Sequence, residues 1–352
     1  MPHSGQGAVL VTGGAGFLGS HLCDRLVERG RRVVCLDNLA TGRTENVRHL
    51  LDHPMFRLHL ADVTEAWEVD EPVSAVFHLA SAASPADYLR LPIPTLEAGS
   101  LGTRNALACA RTHGARFVLA STSEVYGDPR EHPQRETYWG HVNPVGPRSV
   151  YDEAKRYAEA LVMAHHREGA TDVGIARVFN SYGPRMRPDD GRMIPTFMTQ
   201  ALSGRPITVT GDGHQTRSIC YVDDTVEGLL LLEESEEPGP VNIGSQEEVS
   251  VLTLARFIRD FSGSGSEVVF VDRPQDDPHF RRPDITRAGW ALGWSPRVRL
   301  EEGLRRTLAH FMGRHAEMDI ADKADGVLRQ AREEEDGAGH EAIQGVGRGD
   351  HP

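Results

Sequence analysis

The sequence predicts an α/β protein: a Rossmann-type doubly wound parallel sheet with a smaller mixed α/β substrate domain in the C-terminal part. Three observations predict it. A glycine-rich run, Gly13-Gly14-Ala15-Gly16-Phe17-Leu18-Gly19, stands between a short β-rich segment and an amphipathic helix. Strand-like and helix-like segments then alternate through the first half, the order that βαβ units produce. Further on, Tyr151-Asp152-Glu153-Ala154-Lys155 opens a helix downstream of an apolar strand.

The bulk numbers bound the class. A chain of 352 residues suits one large domain or two smaller ones. Its 39% hydrophobic and 25% charged residues fit a globular enzyme. A formal net charge of −13 offers no basic face for nucleic acid, so no such partner is expected. The four cysteines, Cys23, Cys35, Cys109 and Cys220, lack metal-ligand spacing and read as buried free thiols. No metal is expected, and a cytoplasmic location is. No run reaches membrane-spanning length and the first seven residues form no signal sequence, so no membrane partner is expected.

Residues 1–180 are expected to form the nucleotide-binding domain, with later strands from about 215–245 returning to it. Residues 181–313 are expected to form mainly the substrate domain. Residues 314–352, with Glu333-Glu334-Glu335-Asp336 and a glycine-rich end, read as an acidic disordered tail.

The first strand is Ala8–Thr12. The glycines Gly13, Gly16 and Gly19 permit a tight turn, and with Phe17 and Leu18 they let a pyrophosphate approach backbone N–H groups at a helix N-terminus. That helix is read from about Ser20 to Arg29 and ends at Gly30. The second strand, Arg32–Leu36, ends in Asp37, about 20 residues beyond the glycines, where a carboxylate accepts from ribose hydroxyls. A carboxylate there repels a 2′-phosphate, so NAD is favoured over NADP. Asn38 and Thr41 follow it in the cofactor set. A third strand, Leu58–Val63, carries Asp62 and Val63, with Asp62 suited either to the adenine amino group or to capping a helix. The fourth strand, Val76–Ser81, brings Leu79 and Ser81 to the same edge. A helix is read over Leu101–Thr112 and a fifth strand over Arg116–Ala120.

On a helix, residues four apart share one face, so Tyr151 and Lys155 point into one site. A cation beside a phenol favours the phenolate, which makes Tyr151 a general base for a sugar or alcohol hydroxyl. Alone, the pair is a common helical coincidence. Its company is what marks a site: the glycine loop upstream, and Thr122-Ser123-Glu124 at a strand's C-terminal end, where open α/β sheets place ligands.

These residues resemble the extended short-chain dehydrogenase/reductases of the nucleotide-sugar branch. Gly13-x-x-Gly16-x-x-Gly19, Asp37, Thr122 and Tyr151-x-x-x-Lys155 match that superfamily's motifs. Within it, Thr122–Pro129, Glu131–Gln134, Tyr138–Pro144 and Gly146-Pro147-Arg148 resemble the UDP-glucuronate decarboxylase family. So do Asn180, Gly183–Met186, Gln215-Thr216-Arg217, Gln275–Pro278 and Arg281–Asp284; the likeness runs over about residues 8–312.

The resemblance implies a NAD-dependent conversion of UDP-glucuronate to UDP-xylose through a 4-keto intermediate. Tyr151 would take the C4 hydroxyl proton, Lys155 would hold the phenolate, and Thr122 would bond the same oxygen. Ser123, Glu124 and Arg281 would surround the acidic end. Arg192 and Arg217 would hold the diphosphate. Asn180, Gln215, Tyr88 and Asn105 complete the substrate set. Helices 102–112 and 151–167 resemble a four-helix homodimer interface. Glu97 and Gly99 depart from the lysine and asparagine expected there. Alternatives on the same scaffold are a UDP-sugar 4-epimerase, a dTDP-sugar 4,6-dehydratase, or a nonenzymatic NAD-sensing protein.

Overall fold

The computed structural model describes residues 7–272 and 280–316. The first half lays down β1 (Ala8–Thr12), α1 (Phe17–Glu28), β2 (Val33–Asp37), β3 (Phe56–Leu60), β4 (Val73–His78), α2 (Pro85–Arg90), α3 (Pro92–Glu97), α4 (Thr103–His113), β5 (Arg116–Thr122), α5 (Ser149–Arg167) and β6 (Val173–Val178). The second half adds β7 (Ser181–Tyr182), α6 (Met193–Leu202), β8 (Ile207–Thr210), β9 (Thr216–Ser218), β10 (Cys220–Tyr221), α7 (Val222–Glu234), β11 (Val241–Ile243), β12 (Glu248–Ser250), α8 (Val251–Phe261), β13 (Val268–Val271) and α9 (Thr286–Leu292).

Seven strands form one parallel sheet in the order β11-β6-β5-β4-β1-β2-β3. Every residue of β1, β2 and β5 is buried. That explains why they read as unbroken apolar runs: a parallel strand covered by helices on both faces has no polar side to alternate with. The chain reverses its winding between β1 and β4, so a crevice opens at the C-terminal strand ends there.

Of the strands expected to return from 215–245, β11 alone joins this sheet, beside β6. β10 pairs with β7, β9 with β12, and β13 with β8, in three separate two-stranded sheets. Strands of two to four residues hold too little period for a sequence reading to assign them partners. The acidic run at 333–336 and the Gln275–Pro278 segment lie outside the described residues.

The helix expected from Leu101 begins instead at Thr103, because Ala98–Gly102 winds into a π turn that joins α3 to α4. The cause is a close approach. A Cβ on Gly99 would stand 2.6 Å from the Ala154 Cβ and 2.9 Å from the Ala154 carbonyl oxygen, so α5 rests directly on the turn. A row of polar groups ties the turn to the glycine loop. Ala80 N–H faces Thr12 Oγ1 at 3.4 Å, Thr12 Oγ1 lies 2.8 Å from His78 Nδ1, His78 Nε2 lies 3.1 Å from Thr103 Oγ1, and Thr103 donates to Gly99 O at 2.8 Å. Thr103 gives its own proton to Gly99, so His78 donates through Nε2 and accepts from Thr12 through Nδ1. Burial, then the charge of Lys155, pushes the His78 imidazole down to about 3, so it stays neutral.

Candidate active site

A single cavity of about 900 Å³ runs across the C-terminal ends of the sheet. It has the size of a ligand site and lies where this topology places one. Every residue expected to hold cofactor or substrate lines it, with the exception of Asn105.

At one end the glycine loop meets α1. Gly13 has a φ of +71°, and a Cβ there would stand 2.8 Å from Ala80 N; a Cβ on Gly19 would meet Gly13 O at 2.1 Å. Side chains at either position would fill the cradle. The N-cap of α1, Gly16, brings no side chain to the helix N-terminus, which leaves those N–H groups for an anion. Asp37 accepts from Ala15 N at 2.9 Å and from Leu39 N at 2.8 Å, so it braces the loop as well as facing the cavity. Burial raises its pKa against those two bonds. Asp62 accepts from Thr64 N, Thr64 Oγ1 and Asn38 Nδ2. Those bonds overcome burial and hold its carboxyl below the usual range. Asp62 thus serves the turn after β3 as an N-cap would, and the same carboxylate faces the cavity. The Ser81 hydroxyl lines the cavity, buried and without a protein partner. A buried uncapped donor set with two acids at the strand ends fits an adenine dinucleotide.

The centre of the cavity is lined by Tyr151, Thr122 and Lys155. Tyr151 sits one turn into α5 and is 6% exposed. Thr122 Oγ1 accepts Glu124 N–H at 3.2 Å, which leaves its own proton for the Tyr151 oxygen, to which it is hydrogen-bonded. Lys155 Nζ donates to Ala120 O at 2.9 Å and lies 5.9 Å from the Tyr151 ring centre. Burial lowers Lys155 to about 8. Burial, then the Glu124 charge, raises Tyr151 well above the usual phenol value, and this outweighs what Thr122 offers.

Glu124 is held by two arginines of the site. Arg281 grips it two-pronged, Nη1 to Oε1 at 2.5 Å and Nη2 to Oε2 at 2.7 Å, and Arg148 Nη2 adds 2.9 Å to Oε2. Against the cost of burial, the two guanidiniums hold Glu124 down to about 2, so it remains ionised. Next along, burial and the Glu124 charge push Asp152 up to about 7, and its Oδ1 is buried without a partner. The Tyr88 ring stacks on Tyr151, and the Tyr88 hydroxyl is buried without a partner on the cavity wall.

The far end carries Asn180, Arg192, Gln215 and Arg217. Arg192 pairs with Asp190 at 2.6 Å and lies over the Phe17 ring. Gln215 donates to Thr210 O at 2.7 Å, and Arg217 to Thr216 O at 2.9 Å.

Asn105 belongs elsewhere. Its amide donates to the carbonyls of Val63, Thr64 and Glu65, so it holds the loop after β3 and does not face the cavity. Arg148, Asp152 and Arg187 are groups that the sequence reading did not place in the site. Arg187 pairs with Asp87 at 2.9 Å on the cavity wall. Arg148 carried a signal: it stands three residues before Tyr151, on the same helical face.

Residues 9–244 match the profile of the NAD dependent epimerase/dehydratase family. This chain belongs to that family. Among curated members, UDP-glucuronic acid decarboxylase 1 of Xenopus tropicalis is 50% identical over 86% of this chain and 72% of the relative. UDP-glucuronic acid decarboxylase 1 of Arabidopsis thaliana is 49% identical over 87% of this chain and 70% of the relative. Among solved family members, UDP-glucuronic acid 4-epimerase from Bacillus cereus, in complex with UDP-glucuronic acid and NAD, is 28% identical. It superimposes with a TM-score of 0.75 over 87% of this chain and 99% of its own. Among the described residues there is no cluster of His, Cys, Asp or Glu that could hold a metal, and no helix long and apolar enough to cross a membrane.

Proposed function

We propose that this protein is a NAD-dependent UDP-glucuronate decarboxylase that forms UDP-xylose and CO₂. One observation carries the reading. A buried Tyr151–Thr122–Lys155 set lies beside a carboxylate, Glu124, that two arginines over-neutralise. Such a corner welcomes a sugar acid next to the hydroxyl being oxidised. The relatives at about half identity are named for this reaction.

The residues divide the work as follows. The N-terminus of α1 binds the dinucleotide's phosphates, and Asp37 and Asp62 orient its adenosine half. A bound NAD⁺ would take a hydride from the sugar C4 and give it back, so the net change is loss of CO₂ with one proton taken up from solvent in its place. Tyr151 Oη holds the C4 hydroxyl, takes its proton and gives it back, with Thr122 and Lys155 stabilising the charged oxygen. With C4 a ketone, the substrate is a β-keto acid, and the same hydrogen bonds stabilise the enolate left as the C–C bond breaks. Ser123 and Glu124 border C5, where a proton replaces the lost carboxylate. Asn180, Gln215, Arg192 and Arg217 hold the UDP portion, in a substrate lobe built on residues 181–313.

A homodimer through the outer faces of α4 and α5 and a cytoplasmic location belong to the same proposal. Four free cysteines support the location; light scattering tests the dimer, with about twice the chain mass expected and the mass of one chain sinking it. The test of function is to incubate the protein with UDP-glucuronate and NAD⁺ and follow products by mass and nicotinamide absorbance. UDP-xylose with no net NADH is expected. Conversion of a neutral UDP- or dTDP-hexose, with UDP-glucuronate untouched, sinks the reading in favour of an epimerase or dehydratase.

A further inference from the structure

We infer that Arg148, rather than Arg281, receives the carboxylate of the sugar acid and so selects for it. The inference rests on the reading of the substrate as a UDP-uronate.

Three observations carry it. First, the two-pronged face of Arg281 is taken: both of its terminal nitrogens lie on Glu124, at 2.5 and 2.7 Å, in the fork geometry by which a guanidinium holds a carboxylate. Arg148 touches Glu124 through Nη2 alone, and among the described residues its Nη1 and Nε make no hydrogen bond. Its side chain, 15% exposed, lines the cavity. One half of a carboxylate-shaped fork is therefore open.

Second, charge is left over. Two guanidiniums meet one carboxylate, which leaves a single positive charge in a buried corner. The neighbouring Asp152, whose carboxyl is pushed up to about 7, is about half ionised at neutral pH and cancels only part of it. A single acid group on the ligand completes the balance, whereas a neutral hydroxymethyl group leaves the cation unpaired.

Third, the place is right. Arg148 O accepts the backbone N–H of Tyr151 at 3.1 Å, so the two side chains are fixed one turn apart on α5. Tyr151 works on the C4 hydroxyl. In a pyranose, C5 and its carboxylate are adjacent to C4, while the diphosphate-bearing C1 is across the ring. An arginine one turn from Tyr151 therefore meets the acid and not the diphosphate. Sequence likeness put Arg281 at this task; the geometry makes Arg281 the residue that positions Glu124.

The test compares two ligands that differ by the carboxylate. In a Tyr151→Phe background, which blocks turnover, calorimetry with NAD⁺ present measures UDP-glucuronate and UDP-xylose. Adding Arg148→Gln is expected to weaken UDP-glucuronate about 10- to 100-fold, the range of a charged hydrogen-bonded pair, and to leave UDP-xylose within threefold. Arg148→Lys keeps a cation on Glu124 but loses the fork, and gives an intermediate loss; it carries the test if the glutamine variant does not fold. Equal weakening of both ligands, or of neither, overturns the inference. So does a selective loss produced by Arg281→Gln and not by Arg148→Gln. Should UDP-glucuronate bind selectively through Arg148 while the unaltered enzyme releases no CO₂, the decarboxylase reading fails and the role of Arg148 stands.

Discussion

The rings of Tyr88 and Tyr151 lie parallel, 5.4 Å between centres and 5° between planes. Tyr88 comes from α2 and is 1% exposed, so it covers the flat face of the Tyr151 ring. Removing that face by Tyr88→Ala is expected to cost about 3–5 kcal/mol of stability and at least tenfold in kcat. Tyr88→Phe keeps the ring and removes only an unpartnered hydroxyl, so stability stays within about 1 kcal/mol of the parent. Thermal melts and turnover on both variants check the pair.

In the proposed reaction Tyr151 moves the C4 proton, and Tyr151→Phe removes the oxygen that does so. Turnover is expected to fall below detection while NAD⁺ affinity stays within a few-fold, since the phosphates and adenosine are held at the glycine loop. Activity near the parent level in this variant removes Tyr151 from the role.

Glu124→Gln leaves two buried guanidiniums without their anion. A loss of about 3–5 kcal/mol is expected at neutral pH. The folded-state pKa, about 2, lies below the usual carboxyl value of 4.5, so the stabilisation is complete above 4.5 and is lost as pH falls toward 2. Urea titrations at pH 7, 4 and 3 are expected to show the gap between parent and variant shrinking with acid. A gap independent of pH contradicts the ion-pair account.

Asp152 has the opposite sign. Its folded-state pKa, about 7, lies above the usual 3.8, so its charged form is disfavoured by folding. The cost is absent below 3.8, grows as pH rises to 7 and is constant beyond. Asp152→Asn, which imitates the protonated acid, is expected to match the parent near pH 4 and to exceed its Tm increasingly up to pH 7. A Tm difference that is flat across this range rules out the raised pKa.

Gly99 and Ala154 form a pair with room for one Cβ. Gly99→Ala is expected to destabilise by about 1–3 kcal/mol through overpacking. Ala154→Gly in the same chain removes the nearest clash and recovers part of the loss, though the Ala154 carbonyl at 2.9 Å remains. A double-mutant cycle measures the coupling.

What the sequence disclosed follows from what each element is made of. β1, the glycine loop, α1 and β2 were legible because period, turn chemistry and the terminal Asp37 all agree. The π turn was not, since Ala98–Gly102 bears no periodic signal and owes its shape to Ala154, more than fifty positions away. The small sheets of the second half were illegible because their strands are too short. In the site, spacing places Tyr151 and Lys155 on one helical face, and the end of an apolar strand places Thr122 at the same edge of the sheet. Asn105 misled, because an amide on a helix looks alike whether it meets a ligand or a backbone. Arg148 was passed over inside a Gly-Pro-Arg run that reads as loop, and its worth depends on how fully Glu124 occupies Arg281, which only coordinates reveal.

The polar row from Ala80 through Thr12, His78 and Thr103 to Gly99 has a mechanical consequence. One end abuts the loop that seats the dinucleotide, and the other abuts the turn on which α5, with Tyr151 and Lys155, is laid. In the proposed reaction the electron-accepting partner and the proton-accepting Tyr151 therefore share a common rail. Neither can slide without breaking a bond in a sealed interior, so the alignment that each half-reaction needs is kept through both the outward and the return trip.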